Sequence, residues 1–141
     1  MKLAIPVLVV TAGLLAVDGR AADCEVERIR ETVTAYLDGT SKGKPEQVRD
    51  AFLPSLEVQY LGERDVLLRR TAEDYIRRIE PGVSVPREGR IVSIDTTGKA
   101  AAVKAEILWN GRRYTDYMLL LKVEGKWRIS NKIAVWEMIY E

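Results

Sequence analysis

Between residues 24 and 37 the apolar side chains Val26, Ile29, Val33, Tyr36 and Leu37 fall three and four apart, the spacing of one helix face. Asp23 stands where an N-cap would and Gly39 where a helix would stop. A polar loop, GTSKGKP, leads to PEQVRDAF (45–52), a short second helix with Pro45 in its first turn and Pro54 limiting its far end. LEVQY (56–60) then alternates Leu56, Val58 and Tyr60 with Glu57 and Gln59, as a half-buried strand does. Thr71 opens a third helix over TAEDYIRRIEPG (71–82), with Asp74 completing an approximate capping box and Pro81-Gly82 as the stop. Its apolar side is Ala72, Tyr75, Ile76 and Ile79.

Beyond residue 89 the pattern changes to a meander of four strands, about 90–96, 100–109, 112–123 and 126–136, punctuated by Thr97-Gly98, Asn110-Gly111 and Glu124-Gly125. Two-residue loops at these turns fix which residues stand opposite one another, and opposed residues share a face. One face then carries Val92, Ile94, Ala101, Val103, Ala105, Ile107, Trp109, Tyr114, Met118, Leu120, Trp127, Ile129, Ile133 and Val135, together with Asp116 and Asn131. Asp116 is expected opposite Ala105 and Ile133, and Asn131 opposite Met118. A bulge at Glu124-Gly125 would move the last strand's side chains to the other face.

A chain of 141 residues, 47% hydrophobic and 30% charged, suits one domain with a real core. Its first 21 residues read differently: Lys2, an apolar run from Leu3 to Val17 interrupted by Pro6, then small residues ending at Ala21. That order predicts a secretory signal peptide over 1–21 and a domain over 22–141, located in the periplasm or outside the cell. The run is shorter than the ~20 residues a membrane span needs, so no membrane association is expected after cleavage. Asp23 precedes Cys24 where a lipoprotein signal wants a small residue, which argues against a lipid anchor, and a lone cysteine forms no internal disulfide. Cleavage would remove Lys2, Arg20 and Asp18 and leave equal numbers of basic and acidic side chains, a balance that speaks against nucleic acid as a partner. The pairs Arg69-Arg70 and Arg77-Arg78 are interleaved with Glu73, Asp74 and Glu80, as on a solvated helix face.

Asp116 is the chemically informative position, because a carboxylate among apolar neighbours must be paired, hydrogen-bonded or hydrated. Two arrangements satisfy it. It can brace strands and helices through a tyrosine, Asn131 or an arginine, or it can form, with Asn131 and nearby tyrosines, the polar wall of a hollow between helices and a curved sheet. The opposite face carries Tyr117, Leu119, Leu121 and Val123 with Leu108, an apolar strip large for a solvated surface and suited to a second subunit.

The runs TVTAYLDGTSKG (32–43), AFLP (51–54), IVSIDTTGKAAAVKAE (91–106) and YTDYMLLLKVEGKWRISNK (114–132) resemble the putative lumazine-binding branch of the nuclear-transport-factor-2-like superfamily. That resemblance implies an α+β, cystatin-like fold: a cone-shaped roll with three N-terminal helices packed on a curved, mostly antiparallel sheet, a cavity between the layers, and homodimers through the outer sheet face. It implies no single activity, because the superfamily hosts isomerases, dehydratases and transport adaptors. The branch places a histidine where this chain has Leu53, and the chain contains none, which removes histidine-based proton transfer or metal binding.

Three functions follow. The first is an exported binder of a small apolar or aromatic ligand, its pocket built from Tyr36, Phe52, Tyr60, Tyr75, Tyr114, Asp116, Trp127 and Asn131. The second is an isomerase or dehydratase in which Asp116 moves a proton as the catalytic group while Tyr36 or Tyr114 polarises a carbonyl. The third is a non-catalytic dimeric association module. No cofactor is expected: the sequence offers no Cys/His metal set, no phosphate-cradling glycine loop, and no histidine to activate Ser93 or Ser130.

Overall fold

The computed structural model describes residues 16–139. Helix α1 (Ala16–Ser41) and helix α2 (Pro45–Ala51) lead into strand β1 (Phe52–Leu61), and a short turn connects it to β2 (Leu67–Thr71). Helix α3 (Ala72–Ile76) and an irregular segment precede β3 (Glu88–Thr97), β4 (Ala100–Trp109), β5 (Arg112–Val123) and β6 (Lys126–Met138). The six strands form one sheet in the order β2-β1-β6-β5-β4-β3, antiparallel throughout except where β1 runs parallel to β6. Three helices on one mixed sheet make this an α+β roll, the architecture expected from the sequence.

Helix α1 is longer than its periodic stretch at both ends. The helix begins at Ala16 and runs through Gly19 without a proline to stop it, so Asp23 is an interior residue rather than a cap. Gly39 does not end the helix either. It is buried against α2, where an added Cβ would lie 2.6 Å from Val48 Cγ2 and 3.1 Å from the Lys44 carbonyl oxygen, so its role is close approach of two helices. The turn falls at Gly43, whose φ of +62° is the left-handed conformation that glycine adopts without strain. From there Gly82 donates its amide to the Gly43 carbonyl at 2.8 Å, and Val85 donates to Ser41 at 2.8 Å. These bonds pin the segment after α3 to the end of α1, and with it Arg87.

The core lies between the helices and one sheet face. Ile29, Val33, Tyr36 and Leu37 of α1 meet Phe52, Leu56 and Val58 of β1, Val103, Ala105 and Ile107 of β4, Met118 and Leu120 of β5, and Trp127 and Ile129 of β6. A fully buried Ile or Phe among these contributes about 1.5–3 kcal/mol over its exposed state. The expected capping of the third helix is present, with Asp74 N–H donating to Thr71 Oγ1 at 3.1 Å, but α3 itself ends at Ile76 and continues only as turns. Strand β2 has no counterpart in the sequence reading, because Leu67 and Leu68 break alternation and both stand exposed at the sheet edge.

Two bulges correct the expected register. Pairing of β4 with β5 follows the expectation, with Ala105 opposite Asp116. In β3 the register shifts between Ile91 and Ser93, so Ile91 packs on the core and Val92 points outward. In β6 the Glu124-Gly125 turn pairs regularly, and the shift comes later, at Ser130, between the pairs Leu120–Ile129 and Leu119–Asn131. Beyond it the side chains exchange faces: Asn131, Ile133 and Val135 are exposed, Lys132 is buried, and Asp116 stands opposite Ala134 rather than Ile133.

Candidate functional site

Asp116 is 1% exposed in the middle of β5, and its neutralising partner comes from the bulged strand. Lys132 Nζ donates to Asp116 Oδ2 at 2.9 Å, with Lys132 itself 4% exposed. The Tyr36 hydroxyl, brought over the sheet by α1, donates to the same oxygen at 2.8 Å. Tyr36 Oη also lies 3.2 Å from Tyr75 Oη of α3 and 3.5 Å from Arg87 Nη2. Lys132 Nζ stands 5.5 Å from the ring centres of both tyrosines, within cation–π range. An ion pair taken this far from water persists only when further hydrogen bonds support it; Tyr36 supplies one to the carboxylate and is itself tied to Tyr75.

The environment separates the two phenols. Burial and then the Asp116 charge push the Tyr36 hydroxyl well above its ordinary value of 10.0, so it remains a neutral donor. Burial acts in the same sense on Tyr75, but the charges of Arg87 and Lys132 outweigh it and hold that hydroxyl below 10.0.

Above this cluster opens a cavity of about 130 Å³ lined by Val58, Tyr60, Arg70, Tyr75, Arg87, Trp109, Tyr114, Asp116, Lys132, Ala134, Val135 and Trp136. An adjoining hollow of about 380 Å³ shares Arg70, Tyr75, Arg87 and Trp109 with it and runs out along the segment after α3. The walls alternate aromatic rings with guanidinium groups. Arg70 lies 4.9 Å from the Tyr60 ring centre and Arg87 5.9 Å from Trp109, while Arg112, outside the lining, lies 4.0 Å from Trp136. Trp109 and Tyr114 sit with ring centres 6.2 Å apart.

Of the residues singled out from sequence, Tyr60, Tyr75, Tyr114 and Asp116 line this cavity together. Tyr36 and Phe52 stand behind it, packed on Tyr75 with ring centres 6.2 and 5.7 Å away, and Tyr36 reaches the site only through its hydroxyl. Trp127 lies elsewhere, donating its Nε1 hydrogen to Glu25 Oε2 at 2.7 Å in the N-terminal half of α1. Asn131 is on the outer face, corrected by the Ser130 bulge, and Lys132 occupies the inward position in its stead. Arg87, Lys132, Trp109 and Trp136 were not anticipated as neighbours of Asp116. Trp109 alone carried a signal, since the expected register already placed it on the inner face. Among the described residues no group of three Cys, Asp or Glu side chains is placed to hold a metal ion, and no helix is long and apolar enough to cross a membrane.

Three helices closing one face of a six-stranded mixed sheet place the chain in the nuclear-transport-factor-2-like superfamily. Residues 24–135 match the model of the family described as "Putative lumazine-binding", and the chain belongs to that family. It is similar to an NTF2-like protein of unknown function from Shewanella baltica, 28% identical, with a TM-score of 0.72 over 82% of this chain and 95% of that one. NTF2-like proteins of unknown function from Silicibacter pomeroyi and Methylobacillus flagellatus share the fold. The first is 21% identical at TM-score 0.72, covering 83% of this chain and 98% of its own, and the second 24% identical at 0.71, covering 88% and 96%. No curated protein matches the sequence significantly.

Proposed function

We propose that this chain is an exported small-molecule-binding protein whose ligand occupies the cavity over Asp116. The observation that carries the reading is the ring-lined cavity itself, in which Tyr75, Asp116 and Lys132 share the lining with Trp109, Tyr114 and Trp136. Aromatic walls with a few placed polar groups favour a flat organic molecule, and the family's description points to a flat heterocycle of the lumazine kind. Binding is favoured over proton transfer because Asp116 Oδ2 already accepts from both Lys132 and Tyr36. Export is supported by the leader pattern over 1–21 and by exposure around the expected cleavage point, where side chains 19–24 all face solvent. Residues 1–15 lie outside the described part of the chain. The functional unit in this reading is a homodimer formed through the outer sheet face.

The test is ligand-observed NMR with lumazine and a set of flat aromatic fragments, on wild type and on Ala134→Phe, which fills the cavity from β6. Fragments that bind wild type and not the filled variant support the reading. Absence of any binding at millimolar concentration, or binding that Ala134→Phe leaves unchanged, removes it.

A further inference from the structure

The charges around the cavity do not balance. Its lining holds three cations, Arg70, Arg87 and Lys132, against one carboxylate, Asp116, and that carboxylate is already engaged by Lys132 at 2.9 Å. The adjoining hollow repeats the imbalance, with Arg70, Arg78 and Arg87 against Glu80. Arg70 stacks on Tyr60 near the rim and retains solvent, but Arg87 is different. Its Nε is buried and has no hydrogen-bond partner, its only side-chain hydrogen bond among the described residues is the 3.5 Å approach of Nη2 to Tyr36 Oη, and no carboxylate pairs with it there. Of the phenols beside it, Tyr36 is held neutral; Tyr75, whose hydroxyl the charges of Arg87 and Lys132 lower, interacts with Arg87 but leaves its Nε without a partner.

A buried donor without a partner costs about 1–3 kcal/mol, more when charged, and native structures rarely leave one unless something else supplies the acceptor. The Nε–H and the adjacent Nη–H of a guanidinium form a planar fork that matches a carboxylate with two parallel hydrogen bonds. From this geometry we infer that the ligand is a small aromatic carboxylate, its ring between Trp109, Tyr114 and Trp136 and its carboxylate on the Arg87 fork. The inference rests on the binding reading above and specifies its ligand class.

Benzoate and benzamide separate shape from charge, being nearly isosteric and equally flat. In titrations of the folded wild-type chain, benzoate should bind at least tenfold more tightly than benzamide, and Arg87→Gln should bring the two to equal affinity. Since that substitution also alters packing on Trp109, the Arg87 Nε–H resonance of wild type gives a second readout: benzoate should shift it and slow its exchange with water, and benzamide should not. Equal binding of the two probes, or a preference for benzoate that survives in Arg87→Gln with the Nε–H signal unmoved, overturns the carboxylate inference while leaving the cavity reading intact. Failure of both probes at millimolar concentration overturns the carboxylate inference, and the cavity reading falls with it only when lumazine and the other flat fragments fail to bind as well.

Discussion

At the scale of single residues, the Asp116–Lys132 pair decides whether the interior is stable at all. A buried pair is worth little against an apolar replacement of both partners, but removing one partner strands the other charge and costs about 3–5 kcal/mol. Lys132→Met should therefore lower unfolding stability by about that amount, and adding Asp116→Leu should recover most of the loss, although Tyr36 then loses its acceptor. Urea denaturation of the two single variants and the double variant checks this; losses that simply add would mean the two side chains do not act as a pair. Asp116 was legible in the sequence because a lone acid in an alternating strand has few neutral explanations. Lys132 was not, for a physical reason. Without the bulge, the inward positions of β6 would be Asn131, Ile133 and Val135, and with it they are Lys132, Ala134 and Trp136, so hydrophobicity alone prefers the arrangement the chain does not adopt. The outer face is apolar too, which hides the switch.

At the scale of elements, β6 and the segment that carries Arg87 are each aimed by a local device. The Ser130 bulge turns Lys132 inward, with Ser130 Oγ donating to the Leu119 carbonyl at 3.0 Å beside it. Gly39 and Gly43 let α1, α2 and the Arg87 segment close on one another. The N-terminal half of α1 is fastened at Glu25, which accepts from Lys122 Nζ and from Trp127 Nε1, both at 2.7 Å. Those two bonds, the Lys122 bond foremost, hold the Glu25 carboxyl below its ordinary value of 4.5. A depressed carboxyl stabilises the fold fully above 4.5 and loses that contribution as pH falls through its lower folded value. The difference in urea midpoint between wild type and Glu25→Gln should accordingly be larger at pH 6 than at pH 3; an equal difference at both would show that the carboxylate charge plays no part in the fastening. The helices and the four-strand meander were readable from periodicity and turn pairs, since both signals are local. Strand β2 and the parallel β1–β6 pairing were not, because edge pairing across the sheet is decided by residues far apart in sequence.

For the molecule as a whole, the sheet presents two apolar faces and only one of them is covered. On the outer face Leu119 is 56% exposed, Ile133 55% and Tyr117 49%, and Leu121, Val123, Val135 and Leu108 are exposed with them. The Ser130 bulge enlarges this surface, since Ile133 and Val135 join it from β6 while Lys132 leaves, so the register that builds the cavity also builds the outer patch. Scattered apolar side chains on a surface need no explanation, but a contiguous set on neighbouring strands favours burial against a like surface. Such a face can pair with itself about a two-fold axis, and Lys104 near its middle, 5.6 Å from the Tyr117 ring centre, lies close enough to the apolar groove to set the register of the pair. Leu119→Glu combined with Ile133→Glu places like charges against each other in any such dimer. Sedimentation should find wild type dimeric at micromolar concentration and the double variant monomeric, with the far-ultraviolet spectrum unchanged because neither side chain touches the core. A wild type that sediments as a monomer, or a double variant that remains dimeric, would place the subunit contact elsewhere or nowhere. If the dimer dissociates while benzoate still binds as in wild type, the outer face serves assembly alone and the cavity works within one subunit.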